Sequence, residues 1–125
     1  MKNVVRTDRA PGAIGPYSQA VDVGTMVFCS GQIGLVPSSG ELIGGGPGEQ
    51  TRQCLTNLDA VLRSAGLTLS DVVKTTVFLL DMGDFKEVNE AYAAFFPDVP
   101  PARSAVAVTA LPRGARVEIE AIAWR

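Results

Sequence analysis

The chain has 125 residues, 46% apolar and 19% charged, with a net charge of −2 and no histidine. That length predicts one domain, 1–125, burying roughly two-thirds of its unfolded surface in a single core. The acidic balance, without a Lys/Arg cluster, speaks against nucleic-acid binding, and the missing imidazole removes Ser-His triads, the usual general base and the commonest metal ligand.

Cys29 and Cys54 are too few for a disulfide framework, and each lies in an apolar stretch, which predicts buried free thiols in a reducing, cytoplasmic compartment. No basic-then-apolar leader and no apolar run of about 18 residues is present, so neither secretion nor membrane insertion is expected. With two distant cysteines and no imidazole, a zinc site is not expected, and no cofactor is either. The apolar fraction is high for so small a chain and points to apolar surface covered by another chain.

In chain order, Val21 to Cys29 reads as two short strands broken at Gly24-Thr25. Gly31 to Gly48 reads as loop, with a turn at Pro37-Ser38-Ser39-Gly40 and a mobile glycine-rich connection at 44–48 that lacks the lysine and threonine of a phosphate loop. A helix is predicted from about Glu49 to Ala65, because Cys54, Leu55, Leu58, Val61, Leu62 and Ala65 recur at three- and four-residue steps before Gly66. Asp71 to Leu80 is rich in β-branched residues and reads as a strand. A second helix is predicted from about Gly83-Asp84 to Phe96, with Phe85, Val88, Tyr92 and Phe95 on one face and Pro97 as its stop. Two last strands, Ser104–Leu111 and Ala115–Trp124, flank Pro112-Arg113-Gly114.

The order β-β-α-β-α-β-β predicts an α+β two-layer sandwich, one mixed sheet with both helices on one face. In the last strand Val117, Ile119, Ala121 and Ala123 fall on one side, and Glu118, Glu120, Ile122 and Trp124 on the other. Two carboxylates beside Ile122 and Trp124 describe an interface with polar pockets better than a solvated face.

Three segments could carry chemistry. Gly15-Pro16-Tyr17-Ser18-Gln19-Ala20 places a phenol after a turn, and Ser30-Gly31-Gln32-Ile33 places small residues at a strand end where backbone N–H groups are approachable. Pro101-Ala102-Arg103-Ser104 places a permanent cation, with a fork matching a carboxylate or phosphate, at the mouth of a strand. Singly, each is equally a turn, a strand-edge aromatic or a surface ion pair.

Together, and with Val73-Lys74-Thr75-Thr76-Val77-Phe78-Leu79, Asp84-Phe85, Val88-Asn89, Tyr92 and Val117-Glu118-Ile119-Glu120, their order and spacing closely resemble the RidA/YjgF family of reactive-intermediate imine deaminases over nearly the whole chain. The resemblance implies a chorismate-mutase-like fold assembled as a homotrimer with clefts between subunits. It implies that Arg103 holds a substrate carboxylate and that Gly31 and Ala105 offer backbone N–H groups. Tyr17 would come from the neighbouring chain, Ser30 and Asn89 would shape the cleft, and Glu118 would orient the attacking water. The implied partner is a small 2-imino acid, such as 2-iminopropanoate or 2-iminobutanoate, hydrolysed to a 2-keto acid and ammonia. Ala105 departs from the family, which often has cysteine there; a backbone N–H survives that change and a thiol role does not.

Imine hydrolysis suits a chain without histidine, since a protonated C=N needs only a placed water and a carboxylate to take its proton. A partly dry cleft would raise the Glu118 pKa and a nearby Arg103 would lower it, an opposition the sequence leaves open. The alternative reading is a non-catalytic binder of small carboxylates or 2-keto acids in the same cleft.

Overall fold

The computed structural model describes residues 2–125. One mixed sheet of six strands runs in the order β1-β2-β3-β6-β4-β5, where β1 is Asn3–Val5, β2 Ala20–Asp22, β3 Met26–Gln32, β4 Val72–Leu79, β5 Ala102–Ala107 and β6 Val117–Trp124. All neighbours pair antiparallel except β4 and β5, which run parallel with helix α2 (Phe85–Ala93) in the crossover between them. Helix α1 (Pro47–Ser64) packs on β3, β6 and α2.

Cys54, Leu55, Leu58, Val61 and Leu62 of α1 are fully enclosed against Val117, Ile119, Ala121 and Ala123 of β6 and Val77 and Leu79 of β4. The expected division of β6 is therefore met. Its alternate residues face away from the helices, Glu118 and Ile122 half-buried, Glu120 and Trp124 exposed. Phe28, Val106 and Trp124 leave a run of apolar side chains uncovered on that open face. Both cysteines are free and buried, and burial pushes the Cys29 thiol up to about 12 and the Cys54 thiol up also.

Several boundaries differ from the sequence reading. β3 runs on to Gln32, past the expected start of the loop at Gly31, because its pairing with β6 resumes there. β6 begins at Val117, since Pro112–Gly114 form a tight turn that ends at Ala115. β1 is an added strand, pairing Val4 with Val21. β5 begins at Ala102 and ends at Ala107, because pairing with β4 from Lys74 to Leu79 sets its span. α1 starts at Pro47, whose fixed φ suits a first helical position, after Gly45 and Gly46 turn the chain at φ of 105° and 93°. Its far end is closed as expected by Gly66, where Leu67 N–H donates to Leu62 and Gly66 N–H to Arg63. α2 gives way after Ala93 to tighter turns that still bring Phe95 and Phe96 to the core. Among the described residues no helix is long and apolar enough to cross a membrane.

Candidate functional site

Sheet register decides which candidate residues can meet. Arg103 on β5 stands opposite Thr75 on β4, which stands opposite Ala121 on β6. Glu118 stands opposite Phe78, further along and two strands from β5. Arg103 contacts α2, on the helix side, whereas Glu118 is on the open side. One chain therefore holds the candidate residues in two groups on opposite faces of its sheet.

The helix-side half is built from β5 and α2. Arg103 is exposed, and its guanidinium donates from Nη1 to Asn89 Oδ1 at 2.7 Å. The guanidinium carbon lies 5.0 Å from the Tyr92 ring centre and 5.4 Å from that of Phe85. Among the described residues it makes no ion pair, so its charge is uncancelled. Ala105 lies two residues along the same side of β5, half-buried and packed on the core.

The open-side half gathers Tyr17, Ser30, Gly31 and Glu118, with Ile14 and Ile33, around a cleft of about 500 Å³. The regular pairing of β3 with β6 breaks between Cys29 and Gln32, which places Ser30 and Gly31 in an irregularity beside Glu118. Ser30 Oγ donates to Ser18 O at 2.6 Å and its N–H to Gln19 O at 2.9 Å, tying this strand to the Tyr17 segment. Gly15, at φ of 109°, makes the turn that leaves the Tyr17 ring exposed. Burial raises the Glu118 pKa and the charge of Glu120 raises it further. The opposition left open by the sequence is thus settled within one chain, since Arg103 lies on the other face. Glu118 has no ion-pair partner among the described residues.

Gln19 is a site-building residue that the sequence reading passed over. Buried, it accepts from Thr7 N–H at 2.7 Å and donates to Pro11 O at 2.8 Å and Thr7 O at 3.1 Å, pinning the segment before Tyr17. Its signal was a lone amide between Ser18 and an apolar strand. The described residues contain no group of three or more His, Cys, Asp or Glu that could hold a metal ion.

A family model described as Endoribonuclease L-PSP matches residues 7–125. A mouse protein named 2-iminobutanoate/2-iminopropanoate deaminase is 55% identical over 123 residues, 98% of this chain and 91% of the relative. A solved structure from Thermotoga maritima superposes with a TM-score of 0.97 at 55% identity, covering 100% of this chain and 98% of that one. E. coli TdcF, solved with bound serine, gives 0.94 at 48% identity over 98% of each chain. On a family match over residues 7–125 and whole-length likeness to these relatives, the chain belongs to the endoribonuclease L-PSP family, also called RidA/YjgF.

Proposed function

We propose that the protein is a hydrolytic deaminase of 2-imino and 2-enamino acids, 2-iminopropanoate and 2-iminobutanoate among them. It works as a homotrimer of chorismate-mutase-like subunits, with its active clefts between protomers. The observation that carries this reading is the split site: an uncancelled Arg103 cation on one sheet face and Glu118 with a raised pKa on the other. A substrate with a carboxylate next to its C=N needs an anion anchor and a water-holding carboxylate close together. Two protomers supply that pair when the β5 edge of one meets the open face of the next. The uncovered Phe28, Val106 and Trp124 support such a contact.

In that cleft the Arg103 fork grips the substrate carboxylate, with the N–H groups of Gly31 and Ala105 beside it. Tyr17 lines the same cleft as Ser30, Gly31 and Glu118 and comes with them from the protomer next to the one that supplies Arg103, Ala105 and Asn89. Glu118 takes a proton from the attacking water as its oxygen bonds to the imine carbon. The proton passes to nitrogen, the C–N bond breaks as the hydroxyl returns its proton to Glu118, and ammonia leaves a 2-keto acid.

The mouse relative's name supports the reaction, and serine bound to TdcF supports a carboxylate ligand. The ribonuclease description of the family model finds no counterpart here in a net charge of −2 without histidine. Two free cysteines support a reducing, cytoplasmic setting.

The deciding assay generates 2-aminoacrylate with a dehydratase and follows 2-keto-acid release in competition with an imine trap. The wild-type protein accelerates release. Stranding a desolvated partner costs about 3–5 kcal/mol, so Arg103→Ala lowers turnover at low substrate by about two to three decades. No acceleration by the wild type would make the protein a keto-acid binder instead.

A further inference from the structure

Arg103 is held entirely by uncharged groups, and those groups are themselves held. Asn89, Phe85 and Tyr92 fall at three- and four-residue steps on one face of α2, under the guanidinium. Tyr92 is fixed from two further directions. Its hydroxyl pairs with Thr75 Oγ1 at 2.7 Å, and its ring packs on Phe96 with centroids 4.8 Å apart at 40°. Both Thr75 and Tyr92 are buried.

The place of Thr75 is informative. It is the β4 residue directly opposite Arg103, and the next core-facing positions of that strand are Val77 and Leu79. Packing alone would be served there by another valine, because a buried hydroxyl is costly unless bonded. The hydroxyl pair instead joins strand to helix directly below the cation. Burial raises the Tyr92 pKa, partly offset by the Thr75 hydrogen bond and the Arg103 charge, so the phenol stays protonated at neutral pH. A carboxylate in place of this platform would orient the arginine and also cancel it; rings and hydroxyls orient it and leave its charge for a ligand.

We infer that Tyr92, anchored by Thr75, is a positioning residue that presents Arg103 to the substrate carboxylate, an inference resting on the reading of Arg103 as the anion anchor. Its contribution is to binding that ground and transition states share, so its loss appears in KM and not in kcat.

The test measures KM and kcat in the coupled assay and the inhibition constant of 2-oxobutanoate. Tyr92→Leu should raise KM and the inhibition constant about tenfold, with kcat within about twofold. Thr75→Val alone, which strands the phenol, should raise both severalfold. Adding Tyr92→Phe to Thr75→Val removes the stranded hydroxyl, keeps the ring and should restore both constants to within about threefold of wild type. A merely structural pair would shift Tm and leave KM and the inhibition constant alone, so the rise in both constants at unchanged kcat, with its reversal in the double variant, carries the test if Tyr92→Leu does not fold. Wild-type 2-oxobutanoate affinity in Thr75→Val and Tyr92→Leu, alongside weakened binding in Arg103→Ala, overturns the platform and spares the anchor. Wild-type affinity in Arg103→Ala overturns both.

Discussion

Glu118 lies across Gly31 so closely that a β-carbon on that glycine would stand 2.5 Å from Glu118 Oε2 and 2.9 Å from its Cδ. Gly31 has an ordinary negative-φ backbone, so the contact, and not the conformation, demands glycine. Gly31→Ala is expected to fold and to push the carboxylate aside. Since a displacement of about 1 Å can cost about a hundredfold, kcat/KM should fall by ten- to a hundredfold with little change in Tm. Unchanged kcat/KM would remove Glu118 from the chemistry.

The raised Glu118 pKa has a sign that can be checked twice. If its carboxylate takes the proton from water, kcat/KM falls as pH drops through the Glu118 pKa, which burial and Glu120 raise within one chain and a neighbouring protomer's Arg103 pulls back down in the proposed assembled cleft. Glu120→Gln, which removes the second cause of the shift, should move this acid limb to lower pH.

Stability gives the other check. A carboxyl that binds its proton more tightly when folded supports folding fully below its unfolded pKa, and that support is lost as pH rises through the folded one. In dissociated protomers, where no Arg103 faces it, Glu118→Gln should therefore melt slightly higher than wild type at pH 7, with the gain vanishing below about pH 4. The gain is small because the group is half-buried.

Asn89 accepts from Arg103 as a neutral oxygen. Asn89→Asp would put a carboxylate against the same guanidinium and make an internal competitor for the substrate. KM at pH 7 should rise by about tenfold or more, and further than in Asn89→Ala. An equal effect of the two substitutions would show that charge cancellation is not at issue.

The two half-sites predict complementation. Arg103→Ala and Glu118→Gln proteins, each nearly inactive, should regain activity when unfolded together and reassembled. In a trimer with random mixing about one cleft in four receives both wild-type residues, so activity should approach a quarter of wild type. No recovery in mixed trimers would mean that Arg103 and Glu118 do not share a cleft.

The inward face of β6, the core face of α1 and the Gly66 cap were legible because burial writes a period of two or of 3.6 into the sequence. β1 was not. Asn3-Val4-Val5 is too short to show a period and exists by pairing with β2. The start of β5 at Ala102 was hidden for a related reason, since its parallel pairing with β4 joins residues far apart in the chain. Arg103 and Tyr17 could be singled out by residue type and neighbourhood and Glu118 by the family resemblance and its outward place on β6, yet which sheet face Arg103 takes relative to Glu118 could not be read. Face assignment requires the order β3-β6-β4-β5, a property of the whole sheet. Thr75 and Tyr92 read as ordinary strand and helix core for the same reason.

In the proposed trimer, where each cleft draws its reacting groups from two protomers, the enzyme's output should not scale simply with the amount of protein present. At dilutions where subunits come apart, specific activity should fall while each polypeptide remains folded, so that a cell making too little of it would lose deaminase output faster than it loses protein.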